Sequence, residues 1–168
     1  MITSPSITDQ LIQDAIVKSV RNVCRTMLGL EASFAEKSPA DARNCLGPCD
    51  HVFGSVGFVG EVNGLVYLCI PDEFARNAAS NLLGMSPAEV ALQGAAVVND
   101  VIGEITNMTV GGFKNTLADV GFPCRLTVPT IIRGDNLSVA AIKSATRHVF
   151  LFDCAGHRLV ADIQLKLT

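Results

Sequence analysis

Residues 97–114 read VVNDVIGEITNMTVGGFK. Wound at about 100° per residue, the stretch gathers Asp100, Glu104, Asn107, Gly111 and Lys114 within about 40° of one line. Val98, Val101, Ile102, Ile105, Met108 and Phe113 cover the other side. The pattern predicts a helix that buries its apolar face on a sheet and leaves the polar stripe in water. Glu104 and Asn107, three residues apart, are neighbours on that stripe, offset by about 4.5 Å along the axis. Gly103 and Gly111 flank them. Glycine costs about 1 kcal/mol against alanine inside a helix. Here it clears side chains from beside the pair, so that a second protein surface can come close. Most polar stripes are only solvated faces, so spacing alone does not make this one a site.

Upstream, Ser86-Pro87-Ala88-Glu89 carries the marks of a helix start: a capping hydroxyl, proline in the first turn and a glutamate to close the capping box. Helical pattern runs from there to Val120, long enough that a break is expected near Gly94. A shorter helix spans Asp72 to Leu83 and stops at Gly84, with Asp72 and Glu73 read as capping and dipole complement. Before it, Val52–Glu61 and Leu65–Ile70 read as a hairpin turning at Asn63-Gly64, a type I′ signal. The first helix runs from about Thr8 to Leu28, with Gly29 as its stop. The polar stretch 31–50, with Pro39, Gly47 and Pro48, reads as a flexible loop. Downstream, Arg125–Ile132, Leu137–Lys143, Arg147–Asp153 and Arg158–Leu167 read as strands separated by turn residues. A long helix followed by strands opens each half, a weak internal repeat.

The whole chain, residues 1–168, fits one domain. Half of it is hydrophobic (49%), with no Trp and one Tyr, so the core is built from Val, Ile, Leu, Ala and Phe. A net charge of −3 and the lack of any basic run argue against nucleic acid. The most apolar stretch, 52–70, is interrupted by Glu61 and Asn63-Gly64, short of the roughly 20 apolar residues a spanning helix needs. Met1 to Asp9 lacks the basic and apolar regions of a signal peptide. Six cysteines, at 24, 45, 49, 69, 124 and 154, are then read as mostly reduced thiols in a cytosolic protein.

Other clusters carry less chemistry. Cys45, Cys49 and His51 could ligate zinc, but a fourth ligand is missing; a loop disulfide formed on isolation is the better expectation. His148 and His157 flank the last hairpin and read as surface or turn residues. Gly54-Ser55-Val56-Gly57 lies in a strand rather than a strand-to-helix phosphate loop, and no G-x-S-x-G is present.

Glu104-Ile105-Thr106-Asn107-Met108-Thr109-Val110-Gly111-Gly112-Phe113-Lys114 resembles the signature helix of the CheX/CheC/FliY chemotaxis phosphatases. That family carries E-x-x-N, commonly E-L-T-N-M followed by A-G and, three residues on, Lys. Glu104, Asn107, Met108, Gly111 and Lys114 match in register. Thr26-Met27-Leu28-Gly29, Leu82-Leu83-Gly84 and Pro129-Thr130 are similar to the CheX branch. CheC-like members have a second E-x-x-N in the first half, where this chain has Ser19-Val20-Arg21-Asn22. The amide is kept and the acid is not, as in the single-site CheX branch.

The resemblance implies an α+β fold: a pseudo-symmetric domain of two halves, with long helices on a largely antiparallel sheet, often paired into a homodimer. It implies hydrolysis of the aspartyl phosphate on a CheY-type response regulator. Asn107 would position water and Glu104 would pair with the receiver's lysine, while Asp100, Gly103, Gly111 and Lys114 meet the partner. No metal or cofactor of its own is implied, only Mg²⁺ in the partner's active site. Two other readings stay open. One is a docking module without catalysis, like flagellar switch proteins. The other is an unrelated α+β enzyme whose helix matches by chance.

Overall fold

The computed structural model describes residues 6–39 and 46–168. Helix α1 (Asp9–Val23) starts where Thr8 Oγ1 accepts from the Leu11 amide at 3.1 Å. It runs on into a π turn (Cys24–Leu28) closed by Gly29 at φ 64°. Strands β1 (Ala32–Ser38), β2 (His51–Gly60) and β3 (Val62–Pro71) follow, then helices α2 (Asp72–Leu83), α3 (Pro87–Gln93) and α4 (Ala95–Asp119). Strands β4 (Cys124–Leu126), β5 (Thr130–Gly134), β6 (Thr146–Cys154) and β7 (His157–Leu167) complete the chain. The capping box at Ser86 and Glu89 forms as expected, and Gly94 (φ 79°, ψ −173°) breaks α3 from α4.

The seven strands form one sheet in the order β1-β6-β7-β3-β2-β4, with β5 also on β2, and each of these pairings is antiparallel. The order is pseudo-symmetric. Each half has a long helix, then a strand that leaves to pair with the hairpin of the other half: β1 joins β6, and β4 and β5 join β2. All four helices lie on one face. Val52, Val66, Phe150 and Ile163 point into the core beneath them. Their strand neighbours Phe53, Cys69, Val149 and Val160 form a smaller cluster on the other face. Among the described residues no helix is long and apolar enough to cross a membrane.

Four expectations about strands and turns are corrected. Residues 32–38, inside the stretch read as a loop, form an edge strand. It escapes notice because one side faces water and a bulge between Phe34 and Glu36 breaks its alternation. Phe34 anchors it, 5.9 Å from the Phe152 ring. The β2–β3 turn centres on Glu61, not Asn63-Gly64. Gly64 is opposite Phe58, and a Cβ there would meet that ring at 2.3 Å, so glycine serves close approach rather than a turn. The positive-φ pair of a two-residue hairpin falls instead at Ala155 (49°) and Gly156 (78°). The strand expected over 125–132 divides into β4 and β5 around Thr127–Pro129. Residues 137–143 are not a strand. Side chains hold their backbone instead: the Ile142 amide donates to Gln164 Oε1 (2.5 Å), Gln164 Nε2 to the Ala140 carbonyl (2.9 Å) and Arg147 Nη2 to the Val139 carbonyl (3.1 Å).

The five described cysteines are free thiols. Burial, with Cys154 beside it, pushes the Cys24 thiol up to about 12. The Cys45 half of the expected loop disulfide lies outside the described residues.

His148 is buried rather than at the surface, 5% exposed, with its ring stacked on Phe150. Burial, helped by Lys37 and opposed by Asp9, holds its pKa below 6.5. The unfolded chain therefore takes up the proton first as pH falls, and the stability present above about pH 6.5 is lost through the window beneath it. Thermal unfolding of wild type between pH 7.5 and 5.5 should show a steeper fall in Tm than His148→Phe. Equal acid slopes would refute it.

Candidate active site

Helix α4 is rotated into place by two buried threonines. Thr106 and Thr109 face the core, and their hydroxyls donate one turn back to the carbonyls of Ile102 (2.7 Å) and Ile105 (2.8 Å). No polar atom of theirs is left unpaired in the core. Thr106 lies on Gly54 of β2, where a Cβ would come within 2.9 Å of the threonine Cβ and 2.0 Å of its Oγ1. On the α1 side, Ser19 Oγ donates to the Thr109 carbonyl at 2.5 Å. At the start of the helix, Arg133 of β5 bonds Asn99 with Nε and Asp72 with Nη1 (2.7 Å). The Asp72 carboxylate, expected to cap α2, thus ties β5 to α2 and, with Arg76 at 2.7 Å, is fully engaged.

With Thr106 turned inward, the helical repeat turns Glu104 and Asn107 outward. Glu104 is exposed and Asn107 half-buried. Asp100 is exposed, while Gly103, Gly111 and Lys114 are half-buried along the same stripe. Met108 corrects the expectation of burial: it is 41% exposed, because it faces the open groove beside α1 rather than the core. It lines the groove between α1 and α4 together with Asn22 and Arg25. On the opposite flank the chain from Leu126 to Ile131 runs beside α4. A Cβ on Gly111 would lie 3.9 Å from Leu126, and one on Gly103 would lie 4.0 Å from Pro129 and 3.9 Å from Ile131.

On α1, the position three before Asn22 is Ser19, which is buried and spent on Thr109. The first helix therefore presents an amide with no acid beside it. His51, also buried, bonds the Cys49 carbonyl through Nδ1 at 2.7 Å, and Cys49 Sγ is 3.7 Å from Nε2. Among the described residues no group of three His, Cys, Asp or Glu side chains could hold a metal ion. Sequence reasoning weighed Gly54 only as part of a phosphate loop and gave Thr106 and Val128 no role; a glycine within an apolar strand was the one available signal for the close approach at Gly54.

The family model described as chemotaxis phosphatase CheX matches residues 52–153, more than half of the chain and the whole of α4. The chain belongs to the CheX family. Its fold is shared with solved structures. A CheC-like superfamily protein from Shewanella sp. PV-4 superposes with a TM-score of 0.80 at 24% identity, over 95% of this chain and 99% of that one. Chemotaxis protein CheX from Vibrio vulnificus gives 0.78 at 24% identity, over 92% and 99%. CheX from Borrelia burgdorferi, solved in complex with CheY, BeF₃ and Mg²⁺, gives 0.72 at 22% identity, over 92% and 97%. None of the curated proteins matches this CheX-family chain.

Proposed function

We propose that this protein hydrolyses the aspartyl phosphate of a CheY-type receiver domain, with Asn107 and Glu104 as the acting pair. The observation that carries the reading is their placement, side by side and solvent-facing on a helix fixed in rotation by Thr106, in a chain of a chemotaxis phosphatase family. An aspartyl phosphate is already reactive, and Mg²⁺ in the receiver neutralises its oxygens; the Borrelia burgdorferi CheX was solved with CheY and Mg²⁺. The task left to the phosphatase is to hold one water in line. An amide has a donor and an acceptor, so Asn107 can bind that water on one side and the phosphoryl site on the other. Aligning the water removes an entropic part of the barrier. Glu104 pairs with the receiver's active-site lysine, a charge-assisted contact that anchors the helix. Asp100, Gly103, Gly111 and Lys114 complete the contact face. This chain supplies no nucleophile, metal or cofactor of its own in that scheme.

The test is the decay of a phosphorylated receiver with and without the protein. Acceleration supports the proposal; binding with the receiver's own decay rate would make the protein a docking module. We place the reaction in the cytosol, where response regulators work. We also propose a homodimer: β1 at one margin of the sheet, and β4 with β5 at the other, are edges able to pair with a second copy. Light scattering at tens of micromolar, roughly the range that reveals ordinary interfaces, should give twice the chain mass; a monomer would refute it.

A further inference from the structure

Val128 is 82% exposed and stands on the linker that passes the two turns of α4 between Gly103 and Gly111, which carry Asn107. It is held stiffly. The Thr127 amide donates to the Gly57 carbonyl at 2.8 Å, and Thr127 Oγ1 accepts from the Gly57 amide at 2.9 Å. Pro129 follows, with its φ fixed by the ring. A large apolar side chain presented to water on a pinned backbone loses little freedom when covered, the property of a binding anchor. Across the polar stripe, Met108 gives a second apolar surface, 41% exposed and adaptable in shape. The Glu104–Asn107 stripe is therefore flanked on each side by an exposed apolar side chain.

We propose that Val128 and Met108 form a docking rim for the phosphorylated receiver. They seal the surface around Asn107 when the receiver is seated, and Val128 is the dominant anchor. The inference rests on the function proposed above and adds the residues that set affinity. The rim is continuous with the face that must meet the phosphoryl group. Apolar contacts around a polar centre exclude water, which strengthens the central contacts. Only the receiver has to approach Asn107 closely, so it is the occupant to which the rim belongs.

The experiment measures dephosphorylation of the same receiver over a range of concentrations for wild type, Val128→Asp, Met108→Ala, Asn107→Ala and Ile142→Ser. Ile142 is 46% exposed and lies on a segment tied to Gln164, away from α4, so it serves as the exposed apolar control. Val128→Asp should raise KM by about tenfold or more with kcat within about twofold, since a lost docking contact acts on ground state and transition state alike. Met108→Ala should raise KM less, by about threefold, and Ile142→Ser should match wild type. Tm should stay unchanged in all of them. If Asn107→Ala abolishes turnover while Val128→Asp keeps the wild-type KM, the rim is wrong and the active site stands. If Asn107→Ala turns over normally, the function itself fails and the rim goes with it. If Val128→Asp instead splits a dimer without touching KM, the occupant is a second copy of this chain and the proposal is overturned.

Discussion

Asn107→Ala should lower kcat by at least about tenfold, equivalent to about 1.4 kcal/mol of barrier, and leave receiver binding nearly intact. Removing an amide that holds water removes an interaction made mainly in the transition state, and such losses fall equally on kcat and kcat/KM. Glu104→Ala should differ in kind. It removes a contact to the partner as well as part of the alignment, so binding and rate weaken together. Truncating one member of a desolvated charge pair costs about 2–5 kcal/mol. Among the described residues neither side chain makes a hydrogen bond or ion pair that its loss would leave unmet. Both variants should therefore unfold within about 0.5 kcal/mol of wild type. Decay of phosphorylated receiver against receiver concentration, beside thermal unfolding, separates the cases. A folded Asn107→Ala protein with full activity would remove the water-positioning role.

Gly54→Ala should destabilise the protein by about 1–3 kcal/mol, the usual cost of forcing extra atoms into a packed core. That is a fall in Tm of about 2–4 °C for each kcal/mol in a chain of this size. The new methyl would lie 2.9 Å from the Thr106 Cβ and closer still to its hydroxyl, so α4 has to lift or turn. A turned helix misplaces Asn107, so activity should fall even where the protein stays folded. Thr106→Ala in the same chain removes Oγ1 and Cγ2 and should restore part of both losses. The two changes are then strongly non-additive, as contacting residues are. Additive losses of stability would mean that Gly54 is not the seat of the helix.

The orientation of the site could be read from sequence because it depends on one helix. Its wheel, the capping box at Ser86 and the break at Gly94 are all local. The features that stayed hidden depend on neighbours distant in the chain. Met108 looks like a core residue on the wheel, yet it opens onto the groove between α1 and α4, whose width depends on how the two helices pack. Leu137–Lys143 has the composition of a strand, yet Gln164 and Arg147 take its backbone groups, and no ladder forms. Asn63-Gly64 has turn chemistry, but Asn63 Oδ1 instead receives the Gly60 amide at 3.1 Å while Gly64 makes room for Phe58. The seat of α4 on Gly54 brings together residues half a hundred positions apart, which no periodicity encodes.

The exchange of strands between the halves has a consequence for synthesis. β1 is made early, but its partner β6 begins at Thr146, more than a hundred residues later. The first half therefore emerges from the ribosome with an edge it cannot close, and β2 likewise waits for β4 and β5. Neither half is a folding unit by itself. Closure of such long loops precedes the contacts that reward it, so folding should be slow and complete only once β6 and β7 have been made. Until then the exposed β1 and β2 are open to pairing with other nascent chains, and the burden falls on whatever holds the chain apart while it waits.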